Sequence, residues 1–343
     1  MMRLPLSWLL AFTTAALALL LLGSLATGPM TLTLGESLRA LFAGQESGIE
    51  SHKLLIVQEI RLPRTLLCIA VGGILGLCGA VMQGLFRNPL ADPGIIGVSG
   101  GAALGAALAI VLLTPLGQQL QATIGVGLLP LLAFLGSALT TTLVYLLGTR
   151  EGGTSVTVML LAGVAITALS GAVIGLLTYL ADDQMLRNLS LWQMGTLAAG
   201  KPADVALALL TLAALLWLFM RDANPLNALL LGEGEARHLG VNVQSLKRRL
   251  ILLTAAGVGV AVAVSGMIGF VGLVVPHLVR LLAGPNHVRL LPLSALLGAA
   301  LLLAADMLAR TLLAPAELPV GIITALLGAP FFIWLLVKGR RAL

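Results

Sequence analysis

Charge is scarce in this 343-residue chain: Asp, Glu, Lys and Arg together make up only 10% of it. Soluble domains carry about 25% charged residues, so an ordinary water-soluble fold is excluded. Short segments of alternating apolar and polar residues are missing as well, which excludes a transmembrane β-barrel. The two cysteines, Cys68 and Cys78, fall on one predicted helix, about 15 Å apart along its axis. That separation excludes a disulfide between them. A nucleotide site is also lacking. Gly195-Thr-Leu-Ala-Ala-Gly200-Lys201 has the Walker A spacing, but Pro202 stands where a Ser or Thr would hold magnesium, and no strand precedes it. No nucleic-acid motif is present, and any ATP chemistry has to come from a partner.

Apolar residues are abundant, at 59% of the chain with a mean hydropathy of +1.05. Runs of about 20 apolar residues, each long enough to cross the hydrocarbon core as a helix, recur from end to end. They predict an all-α polytopic membrane protein in a single domain, residues 1–343. Ten segments are expected: about Pro5–Ala26, Pro63–Phe86, Ile95–Leu113, Gly127–Leu147, Val156–Leu180, Val205–Met220, Leu250–Ile268, Gly272–Ala283, Leu290–Leu313 and Pro319–Val337. The first also resembles a secretory signal, but its apolar run is longer than the usual signal core, so a retained helix is expected. Residues 28–60 read as an outer loop containing a short amphipathic helix near Leu34–Phe42, and residues 181–192 as a re-entrant or interfacial helix. Gly97, Gly101 and Gly105 recur every four residues, a pattern that lets helix backbones approach, so that face should pack against another helix.

Ten crossings put both termini on one side. If that side is the cytoplasm, it receives thirteen of the 20 basic residues, from Arg3 to Arg341, and five of the 14 acidic ones, including Asp92 and Glu151. The other side is then net negative, counting Glu46 and Glu50 in its loops, so the positive-inside rule fixes the orientation. It also accounts for the chain's +6 balance without an anionic partner.

Two inner stretches stand out. Arg87-Asn-Pro-Leu-Ala-Asp-Pro-Gly94 cannot continue a helix, because its prolines lack an N–H and Asn and Asp bond their own backbone in turns. A tight polar reversal between membrane helices is expected there. The connection at about residues 221–249 contains Glu233, Glu235, Arg237 and His238, acids first and bases last, which complements a short helix dipole. Such a helix is either a solvated loop element or a docking element for a cytoplasmic motor.

These stretches, together with Arg61-Leu-Pro-Arg64, Gly97-Val-Ser-Gly-Gly101, Gly269-Phe-Val-Gly-Leu-Val-Val-Pro-His-Leu-Val-Arg280 and Glu317-Leu-Pro-Val-Gly321, resemble the FecCD-type permeases. These are ten-helix membrane subunits of ATP-binding-cassette importers for iron-siderophores, haem and cobalamin. The resemblance covers nearly the whole chain. It implies a homodimer in the bacterial inner membrane, two cytoplasmic ATPase subunits, a periplasmic substrate-binding protein and no enzymatic activity in this chain. By the same resemblance Glu233, Glu235, Arg237 and His238 couple to the ATPase. Asn88, Leu90, Ser155, Val156 and Thr157 correspond to the cytoplasmic gate; Val156 stands where the cobalamin importer has a hydroxyl residue. Arg61, Arg64 and Arg310 correspond to arginines that dock the binding protein, and the ten-segment topology leaves them at the outer face. For Arg310 a helix pair with Asp306, four residues earlier, is an open alternative.

The stretch from Tyr179 to Asn188, with Trp192 after it, resembles the haem-importing branch more than the others. Arg187 could meet a propionate, while Tyr179, Met185 and Met194 could face an apolar macrocycle; the alternative is that they pack a lid. Haem is then the expected cargo, ferric siderophore or cobalamin the alternatives, with no permanently bound cofactor and ATP on the partner. His277 reads as a packed histidine, since no second ligand lies at metal-site spacing. An ion-coupled secondary transporter is the reading from another class. Few ionisable residues fall inside its predicted helices, chiefly Asp204 and Asp306 near outer ends, which weighs against it. A membrane-embedded enzyme fares worse, because no nucleophile and base appear at the midplane.

Overall fold

The computed structural model describes residues 5–30, 32–42, 50–114, 127–150, 153–198 and 200–340. Arg3, Glu46, Glu151 and Arg341, which enter the charge argument, lie outside the described residues. Helices α1 (Leu6–Ala26), α2 (Leu34–Phe42) and α3 (Ser51–Leu55) lead through a π-helical turn, Ile56–Arg61, into α4 (Leu62–Leu85). A 3-10 turn at Pro93–Ile96 precedes α5 (Val98–Val111) and α6 (Leu128–Gly148). A two-stranded ribbon, Thr149–Arg150 against Gly153–Thr154, opens onto α7 (Val156–Leu180). The chain continues through α8 (Asp183–Gln193), α9 (Pro202–Arg221), α10 (Ala223–Leu230), α11 (Glu233–His238) and α12 (Val243–Ser265). It ends with α13 (Val271–Ala283), α14 (His287–Thr311) and α15 (Val320–Arg340). Among the described residues seven helical stretches are long and apolar enough to cross a membrane, and three further apolar helices are shorter. The chain is a multi-pass, all-α membrane protein.

One expectation is corrected. The second long helix begins at Ser51 rather than near Pro63. Leu54, Leu55, Ile56 and Val57 are apolar enough to extend it outward, and Pro63, which has no N–H to donate, is accommodated by the wider π turn, in which Leu62 N–H reaches Val57 O. The inner connection at residues 221–249 contains the expected short helix as α11, together with α10 and the first turns of α12.

Helix α4 is the centre of the fold. Every residue from Ala70 to Leu85 is buried, and α9, α12, α13 and α14 pack around it. Lipid tails give no hydrophobic drive for helix association, so close packing has to hold the helices together. Glycine supplies it: a Cβ on Gly72 would lie 2.4 Å from the carbonyl oxygen of Gly298, and one on Gly79 only 1.8 Å from that of Gly272. The expected small-residue face of α5 behaves alike. Its partner is α6, where a Cβ on Gly105 would meet Leu132 O at 1.9 Å, and Thr140 Oγ1 donates to Gly97 O at 2.9 Å.

Helix α12 ends at Gly266, in the left-handed region at φ +68, and α13 starts at Val271 against the inner half of α4. In the nonhelical stretch between them Gly266 and Ile268 are buried and Gly269 is exposed, and broken backbone at membrane depth is tolerated only where protein or a water-filled cavity covers it. Thr196 N donates to Ser265 O at 2.8 Å and Gly321 N to Met194 O at 3.1 Å, which ties the ends of α8 and α12 to the start of α15.

Substituting Gly79→Val should destabilise the protein by at least the ~1–3 kcal/mol typical of overpacking, because the obstacle is backbone. Detergent-purified protein should melt lower or fail to accumulate. Gly175→Ala, whose added Cβ meets nothing within 4 Å, should leave the melting curve unchanged or raised.

Candidate functional site

The three outer arginines come together at one end of the bundle, but their forks turn inward. Arg61, Arg64 and Arg310 are 4%, 5% and 2% exposed, which corrects the expectation of arginines displayed at the outer face. A helix leaves its last carbonyls without partners, and Arg61 meets those of α1: Nη1 donates to Leu25 O at 2.7 Å and to Ala26 O at 2.8 Å, and Nη2 to Met30 O. Arg64 grips Asp306 through Nε at 3.0 Å and Nη2 at 2.9 Å, and its Nη1 reaches Glu317 at 2.7 Å. Arg310 Nε lies 3.1 Å from Asp306 Oδ2 without hydrogen-bond alignment, so that contact is ionic. Its fork donates instead to Ser24 Oγ at 2.8 Å. The helix pair weighed for Arg310 is therefore present. Asp306, fully buried, is the anion between two guanidiniums, and Glu317 is the one partly exposed carboxylate of the cluster.

At the other end, the polar reversal forms as expected. Asn88 Oδ1 accepts from Leu90 N at 2.9 Å and Asp92 Oδ1 from Gly94 N at 2.7 Å, so each side chain folds its own turn. Arg87 adopts φ +49 to start it, and Leu90 is exposed. Ser155 caps α7 through Val158 N, Val156 is half-buried and Thr157 is exposed.

The acid-then-base stretch is helix α11. Glu235, Arg237 and His238 are exposed around the single buried Ala236, with Leu231 and Leu239 exposed at either end. Glu233 does not join that free face. Its Oε1 accepts from Lys247 Nζ at 2.6 Å, and Lys247 is only 2% exposed. Sequence reasoning counted Lys247 only as one more inner positive charge; its neighbours Arg248 and Arg249 are exposed, and no local pattern distinguishes it. Arg249 in turn pairs with buried Asp222.

Along the expected substrate stretch, Tyr179 and Met194 are exposed, as is Arg187 on α8. Met185 is half-buried and packs against the core. Trp192 is buried. His277 sits edge-on to Phe331, ring centroids 6.1 Å apart. Cys68 and Cys78 are both free and buried.

Residues 16–338 match the model of the FecCD transport family. The chain is 47% identical over 336 residues to the hemin transport system permease protein of Yersinia pestis, covering 97% of this chain and 96% of that one. It is 44% identical over 297 residues to the cobalamin import system permease protein of Halobacterium salinarum, covering 87% of this chain and 77% of that one. The vitamin B12 import system permease protein of Vibrio cholerae is 42% identical over 291 residues, 83% of either chain. A solved structure described as a metal-chelate type ABC transporter, inward-facing, superposes with a TM-score of 0.82 at 34% identity, over 97% of this chain and 99% of that one. These matches are to ATP-driven permeases, and the ion-coupled reading gives way to them.

Asp306→Asn should strand two buried guanidiniums and cost about 3–5 kcal/mol, the range for breaking a buried pair from one side. Glu317→Gln, at a partly exposed carboxylate, should cost at most about 1 kcal/mol. Thermal melts of both variants in one detergent would read the difference, and equal losses would show that Asp306 is not the anchor.

Proposed function

The chain belongs to the FecCD transport family, and from that premise we propose that it carries haem across the bacterial inner membrane, as the homodimeric permease of an importer driven by separate ATPase subunits. It is a permease subunit of an ABC importer of the metal-chelate type. The observation that carries haem as the cargo is the 47% identity to a hemin permease over 97% of the chain. The exposure of Arg187, Tyr179 and Met194 supports it, since a guanidinium can grip a propionate bidentately. The cobalamin permeases at 44% and 42% identity support a corrinoid as the second reading.

In this reading the chain crosses the membrane ten times with both termini in the cytoplasm, the three shorter apolar helices being crossings too. A periplasmic binding protein docks over the end that holds Arg61, Arg64 and Arg310, where the guanidiniums of Arg64 and Arg310 face two carboxylates. Asn88, Leu90, Ser155, Val156 and Thr157 form the inner gate, and the exposed face of α11 receives the ATPase. ATP stays on that partner, and this chain holds no permanent cofactor.

Proteoliposomes containing the chain, its ATPase subunits and its binding protein should accumulate haem only with ATP, and should not accumulate cobalamin. Cobalamin uptake without haem uptake would replace the cargo assignment. Glu235→Ala with Arg237→Ala should weaken ATPase association about tenfold, as loss of a hot spot does, without shifting the melting temperature, because both side chains are exposed. Unchanged association would remove α11 from the interface.

A further inference from the structure

The ribbon between α6 and α7 is held from outside itself. Thr154, in its second strand, precedes Ser155, which caps α7. Thr154 O accepts from Lys247 Nζ at 3.0 Å, and Thr154 N donates to Gln244 Oε1 at 3.0 Å. Both backbone polar groups of one ribbon residue are thus bound by the first turns of α12. The same Lys247 ammonium donates to Glu233 Oε1 at 2.6 Å, at the start of α11. A buried lysine is tolerated only where its charge is matched and its donors are taken up. Here those requirements are met by two different elements, so moving either one alone leaves the ammonium underbonded.

We propose that Lys247 is a positioning residue, a buried strut that transmits displacement of α11 to the ribbon and so to the inner end of α7. This rests on the reading of α11 as the ATPase contact and of residues 155–157 as gate. Glu233 is the strut's attachment on the driven side, and the Thr154 peptide is its attachment on the gate side. Gln244 keeps the ribbon in register with α12, so the ammonium meets the carbonyl in one geometry. Arg237, 3.9 Å from Glu233, is the exposed companion charge that a partner could compete for.

The test uses the assembled transporter, with its ATPase subunits and binding protein, in proteoliposomes. Lys247→Met keeps the buried stem and removes the charge and donors. It should retain ATPase association and hydrolysis within about twofold of wild type, while transport per ATP hydrolysed falls about tenfold, the size of an ordinary coupling energy. A role in stability alone would lower both activities together. Gln244→Leu, which cuts the other hold on Thr154, should uncouple in the same direction and serves where Lys247→Met does not accumulate. Wild-type transport per ATP in either folded variant would overturn the strut. Failure of the wild-type chain itself to bind the ATPase would instead overturn the reading of α11.

Discussion

Backbone touching backbone along α4 is the constraint on which the rest of the structure depends. Gly72 against Gly298 and Gly79 against Gly272 leave no room for a Cβ. Helices packed this closely cannot slide or rotate without either clashing or opening a void, so they behave as one body. The bundle formed by α4, α13 and α14 is therefore a frame. The polar machinery at its two ends is built on its margins.

At the outer end the frame carries its charges internally. Asp306 of α14 and Arg64 of α4 pair across the seam between the two helices, while Arg61 and Arg310 bind the end of α1. The N-terminal helix is thereby fastened to the frame by two almost fully buried guanidiniums. At the inner end the arrangement is the opposite. The reversal after α4, the ribbon before α7 and helix α11 are short, polar and partly exposed, and the ribbon and α11 are joined by the single side chain of Lys247. Under the proposed function this asymmetry lets force applied by a partner at one end move a gate without dismantling the membrane-spanning core.

Much of this was legible in the sequence. Long apolar runs announce membrane helices whatever their partners, so α7, predicted over Val156–Leu180, has those bounds in the structure. Gly97, Gly101 and Gly105 announced a packed face because their spacing is itself the packing requirement. Helix α11 was legible because its charge order serves its own dipole. What escaped depends on residues far apart in the chain. Arg64 near a helix end reads as a displayed charge, and the carboxylate that turns it inward lies 242 positions away. Lys247 reads as one of three consecutive bases, and only the fold places Thr154 and Glu233 on either side of it. The continuous helical path from Ser51 through the π turn into α4 was missed because Pro63 reads as a helix start, whereas the π turn absorbs it.

The frame can be tested by distances. Spin-label pairs in complexes with one labelled protomer would report on it, one pair at Ile60, in the π turn that leads into α4, and Leu308 of α14, the other at Arg150 and Arg289 between the ribbon and the frame. All four positions are exposed. Between the nucleotide-free and ATP-bound complexes the seam distance should change by less than about 2 Å, while the ribbon distance shifts by about 5 Å or more, the scale of a gating displacement. A seam that moves as far as the ribbon would contradict a rigid frame at the centre of this permease.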